Sequence, residues 1–221
     1  MKARPICGAV FGLLIAGLAG CAANSVKDDF TFKDDKSEGL VFFSASHDLA
    51  GTTATKVIFY VDGGVPNGGS MVYSLEQNPL TLTGRPGDFE DSHGRLIALA
   101  LPVGKHQFTG WQVTDGTLQL GPASKLPPLE FSLQAGQVKY LGNLHARIQM
   151  RRNFVRRQVL ADAVPEIRDM HDRDVELFKK RYPQFKDQVS IETLPLGLWT
   201  SAAGTSGTIS TPPVIIPVPR R

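Results

Sequence analysis

Residues 137–149, QVKYLGNLHARIQ, decide the fold class. Val138, Tyr140, Gly142, Leu144, Ala146 and Ile148 alternate with Lys139, Asn143, His145, Arg147 and Gln149, and only Leu141 breaks the polar series. Successive side chains of a strand point to opposite faces, so a period of two predicts a strand with one face buried and one wet. The flanking text is of the same kind. LVFFS (40–44), TKVIFYVD (55–62), SMVYSLE (70–76), RLIALALP (95–102), GKHQFTGWQV (104–113) and PLEFSLQ (128–134) are strand-like. The clusters DGGVPNGG (62–69) and TGRPGDFEDSHG (83–94) lie between them as turns and loops. FVRRQVLAD (154–162) reads as a strand returning beside residues 140–149. Many short strands divided by turn signals predict a mainly β chain, an antiparallel β-sandwich or barrel.

One helix follows. Pro165 fits a first-turn position, with Glu166, Asp169 and Asp172 near the positive end of the helix dipole and Lys179, Lys180 and Arg181 near the negative end. Ile167, His171, Val175, Phe178 and Tyr182 recur at spacings of three and four, which predicts one apolar face packed on the sandwich. Pro183 ends the helix, because the residue before a proline resists helical geometry.

The N-terminus has a different logic. Lys2 and Arg4 precede an uncharged apolar run, residues 9–19, that is too short to span a bilayer, which needs about 20 apolar residues. A charged start, a short apolar stretch and small residues before a cut site describe a secretory signal peptide. Leu18-Ala19-Gly20-Cys21 at the end of that stretch resembles the lipobox of bacterial lipoproteins. That resemblance implies a diacylated Cys21, carrying chains such as palmitate, as the new N-terminus. Ala22 in place of an aspartate implies the outer membrane, with the domain facing the periplasm. The membrane is then the first expected partner, held through Cys21.

Discarding residues 1–20 takes the chain from 221 to 201 residues and, with Lys2 and Arg4 gone, from 24 to 22 basic side chains against 21 acidic. So balanced a charge argues against a nucleic-acid partner. Of the two cysteines, Cys7 is discarded and Cys21 acylated, so no thiol remains for a disulfide or a Cys-bound metal. The expected order is a signal peptide (1–20), lipidated Cys21 and a solvated tether (21–38), and a sandwich (39–162). A helix with a strand-like extension (163–198) and a largely disordered Ser/Thr/Pro-rich tail (199–221) that holds PPVIIPVP complete it.

Catalytic and metal constellations are not found. Gly204-Thr-Ser-Gly-Thr fails as a nucleophile elbow at its last position, and Thr53-x-x-Lys56 has no partner motif downstream. The five histidines are scattered; His93, near Asp88, Glu90 and Asp91, has the most acidic surroundings, and a plain acidic loop explains it. No catalytic residue, metal or cofactor is assigned. Arg147, Arg151, Arg152, Arg156 and Arg157 crowd into eleven residues, and a hairpin of 140–149 with 153–161 would gather several at its tip. Guanidinium groups favour carboxylates and phosphates, so this is either a docking surface for an envelope protein or anionic envelope component, or a solvated strand face.

GRLIALALPVGKHQF (94–108), LEFSLQAGQVKYLGNL (129–144) and RDVELFKKRYPQF (173–185) together resemble a group of bacterial lipoproteins that carry a small transthyretin-like β-sandwich. The likeness covers residues 38–190 through a Pro-x-Gly-Lys turn (102–105), an Ala-Gly-x-x-x-Tyr turn (135–140) and the Arg-Asp…Tyr-Pro helix (173–183). It implies a fold and no activity. The expected role is an envelope binding or assembly lipoprotein, with a small-ligand or cell-wall-binding module as the alternative and a hydrolase behind both.

Overall fold

Leu40-Val41-Phe42-Phe43 is an apolar run with no alternation, and the computed structural model shows why. The first strand, β1 (Glu38–His47), is covered on both faces, and eight of its side chains from Leu40 to His47 are fully buried. The structure describes residues 25–32, 37–50, 55–63, 69–75, 87–115, 118–201 and, as backbone, 207–210.

The remaining strands are β2 (Lys56–Val61), β3 (Ser70–Tyr73), β4 (His93–Pro102), β5 (Gly104–Thr114), β6 (Gln119–Pro122) and β7 (Leu129–Leu133). They continue with β8 (Val138–Arg152), β9 (Gln158–Arg168), β10 (Val189–Ile191), β11 (Gly197–Leu198) and β12 (Gly207–Ser210). Helix α1 (His171–Arg181) lies between β9 and β10. The first sheet has the order β11-β9-β8-β1-β4, with β10 also on β8; the second has the order β12-β6-β5-β2-β3, with β7 also on β5. Their facing sides make one core, in which Val41, Phe43, Leu144 and Ile148 of the first sheet meet Phe59, Phe108, Val113 and Phe131 of the second. The Phe43 and Phe108 rings meet edge to face at 5.2 Å.

Among the described residues the chain is mainly β, with two sheets and one α-helix, as the alternation predicts, but the first sheet is mixed and not antiparallel. β8 runs parallel to β1, and β10 parallel to β8. The turn before β8 is bonded to the start of β1 (Gly136 N donates to Glu38 O, Leu40 N to Gln137 O), so both strands leave from the same end.

The even period of residues 138–148 is also not one face. Val138 and Tyr140 face the helix, whereas Leu144, Ala146 and Ile148 face the sandwich core. Gly142, at φ +106°, makes the change, and the pairing with β1 slips there between Phe42 and Ser44. A Cβ at Gly142 would sit 3.4 Å from both Arg168 O and Ile167 Cγ2, in a backbone conformation that L-residues avoid. Gly142→Ala is expected to destabilise the domain by about 1–3 kcal/mol, read as a lower urea midpoint at unchanged slope.

The second core lies on the other face of the first sheet. Phe178 of α1 stacks on Phe42 at 3.8 Å between ring centres, beside Tyr140, Tyr182 and Phe185. The helix begins at His171 and not at Pro165, because β9 pairs with β8 as far as Arg168 and holds Pro165 and Ile167 in the sheet. Ile167 therefore belongs to the sandwich core, and His171 stands half-exposed between Asp169 and Asp172. Asp174 and Phe178 are the helix residues that are fully buried. The helix ends before Pro183, as expected.

Two further expectations change. Residues 25–32 are not a solvated spacer: Val26 N donates to Ala98 O, Tyr182 OH donates to Val26 O, and Gln184 Nε2 donates to the carbonyls of Asp28 and Phe30. Phe30 and Phe32 pack on Phe185 at 6.2 and 5.2 Å. The apolar spacing of Val26, Phe30 and Phe32 within a charged run supplies the contact. Within the tail, residues 207–210 form β12 at the edge of the second sheet by pairing with β6. Cys21, residues 33–36 and PPVIIPVP lie outside the described residues.

Candidate functional site

β8 and β9 form a long hairpin whose neighbours give out before its tip. β1 pairs with β8 only as far as His47 opposite Ala146, whereas β8 and β9 pair on to Arg152 opposite Gln158. The turn is organised by Asn153, whose Oδ1 accepts from Val155 N at 3.1 Å and Arg157 N at 2.9 Å. Arg156 adopts φ +62°, which closes the turn into a bulge-like return. Arg151, Arg152, Arg156 and Arg157 are all exposed around it. No described acidic side chain lies within ion-pair distance of any of the four. Arg147 does not join them. It lies lower on β8 and pairs with Glu166 at 3.0 Å.

The finger also carries what charge counting overlooks. Phe154 is 96% exposed and Val155 is 53% exposed, between two arginine pairs. The signal is present in RRNFVRR (151–157): an aromatic residue in a polar turn with nothing local to bury it.

A second cluster lies on the helix side of the first sheet. Ser46 Oγ is 2.9 Å from His145 Nδ1, and His145 Nε2 is 3.0 Å from Asp48 Oδ1, in the order of an acyl-transfer relay. The chemistry differs. Arg168, a permanent donor, points a guanidinium nitrogen at the same Nδ1 from 2.7 Å, so Nδ1 is the acceptor and Nε2–H donates to Asp48. Burial first and Arg168 second push the His145 pKa down. A proton taken from Ser46 would face that guanidinium, so His145 is a poor base for Ser46, which is itself fully buried. Asn143 donates to both Ser44 Oγ and Ser46 Oγ and joins the cluster to the helix.

There Asp174 accepts from Ser44 Oγ at 2.5 Å and Tyr140 OH at 2.9 Å, and pairs with Arg173 at 2.9 Å. Burial raises the Asp174 pKa against those three partners, and burial with the adjacent Asp174 raises that of Tyr140. Arg173 also lies over Phe89 at 3.6 Å and reaches Asp91, while Arg181 pairs with Asp88 at 2.9 Å. Asp88 and Asp91, near His93, are thus turned toward helix arginines. No group of three potential metal ligands occurs among the described residues. The glycine loops 62–69 and 83–94 lie partly outside the described residues.

His47 faces the other way, against Ser74 at 3.1 Å and the His93 ring at 5.3 Å, with Nε2 unpartnered among the described residues. Burial first, then His93 and His145, push its pKa down to about 3 against the opposing Asp48. Below pH 6.5 the unfolded chain takes up a proton that folded His47 refuses, so stability falls as the pH falls toward 3. From pH 7 to pH 5 this group alone is expected to remove about 2 kcal/mol. Urea titrations of the wild type and His47→Gln at both pH values measure it, the variant losing that slope.

No family model matches the chain, and no curated protein is matched. A leucine-rich repeat protein from Bacteroides thetaiotaomicron is among the solved structures, at 12% identity and a TM-score of 0.29. The alignment covers 59% of this chain and 18% of that one, and the likeness carries no argument.

Proposed function

We propose that this chain is a membrane-anchored envelope lipoprotein, acylated on Cys21, whose transthyretin-like domain binds or helps assemble another envelope component through the β8–β9 finger. The observation that carries the reading is the finger itself: four arginines with no acidic partner among the described residues, around an exposed Phe154. Charged strand faces are ordinary on a half-wet sheet, but an exposed aromatic anchor ringed by arginines is the composition of interaction hot spots. Position supports it as well, since a hairpin that outruns its sheet is free to enter a partner surface. The outer membrane, facing the periplasm, is the compartment that goes with Ala22 after the cysteine.

In-cell crosslinking and affinity purification from membranes test this, with a variant carrying the four tip arginines, Arg151, Arg152, Arg156 and Arg157, changed to Ser run beside the wild type. A component recovered with the wild type and lost with the variant supports a docking role and locates its face. Equal recovery from both, or neither protein nor anionic lipid enriched with either, overturns it.

A further inference from the structure

We infer that the β8–β9 finger is a second membrane contact: Arg151, Arg152, Arg156 and Arg157 bind the phosphates of anionic phospholipids while Phe154 and Val155 enter the interface. This rests on the lipoprotein reading and names the component that the finger meets.

Charge and shape both favour a lipid surface. Four guanidiniums without described acidic partners ring two exposed apolar side chains at the end of a narrow two-stranded arm. An amphipathic tip of this kind suits the membrane interface, where an aromatic ring sits at the level of the uppermost acyl-chain methylenes and cations meet phosphate. Each basic residue near an anionic leaflet strengthens binding about fivefold, and the apolar pair adds burial that charge alone does not give. A protein pocket that accepted Phe154 would have to desolvate four surrounding guanidiniums, whereas at a membrane they stay in the wet headgroup layer. The turn is also preset by Asn153, so little order has to be imposed when the tip enters.

The packed N-terminal segment places that surface within reach. Residue 25 is already docked through its hydroxyl to Ala98 N, leaving four residues from Cys21, which span at most about 14 Å. Val26 lies level with Ala98, which pairs with Phe42, which pairs with Tyr140. From Tyr140 to Arg152 a strand runs about 40 Å. A domain held that closely and lying along the leaflet brings the finger onto the same surface. An otherwise weak contact then acts at the high local concentration set by the anchor.

The test is fluorescence of the mature acylated protein carrying Phe154→Trp, reconstituted into vesicles of phosphatidylcholine alone or with about one third phosphatidylglycerol. Trp111 and Trp199 are buried in the core and supply a constant background. In the anionic vesicles the emission of the added indole is expected to shift to the blue and to be quenched by brominated acyl chains. Neither effect is expected in neutral vesicles, or when the four tip arginines are Ser. A chain starting at Ala22 keeps every described element and lacks the acyl group. Its binding to anionic vesicles should weaken about tenfold or more on Phe154→Ser, and again in high salt. Unchanged emission in anionic vesicles, or equal quenching in neutral ones, overturns the inference. If vesicles fail while crosslinking recovers a finger-dependent protein, the finger docks protein: the inference falls and the proposed function stands. If mass analysis finds no acyl chain on Cys21, the lipoprotein reading falls and takes the inference with it, a result distinct from a failure of the finger.

Discussion

Exchanging residues 1–21 for a cleavable leader that ends without a cysteine is expected to move the protein from the membrane pellet into the soluble extract. The magnitude follows from the chains lost. Each buried methylene is worth about 0.8 kcal/mol, so two long acyl chains hold a protein far more firmly than any surface patch can. What remains is the finger, at about 1 kcal/mol per arginine, a contact that salt screens. The exchanged protein should therefore leave the pellet completely in a high-salt wash, while the wild type stays. Mass analysis of the mature N-terminal peptide, with Cys21→Ser as control, reports acylation directly. Retention of the exchanged protein after that wash would defeat the anchoring reading.

The second large effect is expected at the junction of helix and sheet. Asp174→Ala removes the acceptor of the Ser44 and Tyr140 hydroxyls and the partner of Arg173, all at a fully buried point. Breaking a buried, hydrogen-bonded charge pair from one side costs about 3–5 kcal/mol, because the groups left behind keep their desolvation without a partner. Urea denaturation should show that loss. Asp174→Asn should recover part of it, since an amide oxygen still accepts from Tyr140 and Ser44. A loss below about 1 kcal/mol for the alanine variant would mean that water replaces the carboxylate and the helix is held by Phe178 and its neighbours.

What the sequence conceals is traceable to particular residues. The period of two from Val138 to Ile148 announces a strand, yet it is silent about Gly142, where the buried face changes sides while the spelling still alternates. Asn143 and His145 read as wet because they are polar; they are buried because Ser44, Ser46, Arg168 and the helix satisfy them across the sheet. The serine partners lie about a hundred residues away and Arg168 more than twenty, beyond any local pattern. Proline misleads at position 165, where helix and strand edge are both permitted and pairing with β8 decides. The finger is legible as charge and as a hairpin. Phe154 escapes such a reading, because an apolar residue is assumed to have a core until the fold shows that it has none.

The parallel contact of β1 with β8 has a consequence for how the chain comes to be made. Leu40 must wait for Val138, about a hundred residues later, and pairing across so long a loop carries an entropy cost of the kind that slows folding in domains rich in distant contacts. During synthesis the run LVFFSAS therefore emerges early with neither of its final neighbours, a segment of high β propensity and no charge. An N-terminal fragment that ends before β8 should precipitate where the whole chain folds. The strand at the centre of the domain is among the first made and among the last to be completed.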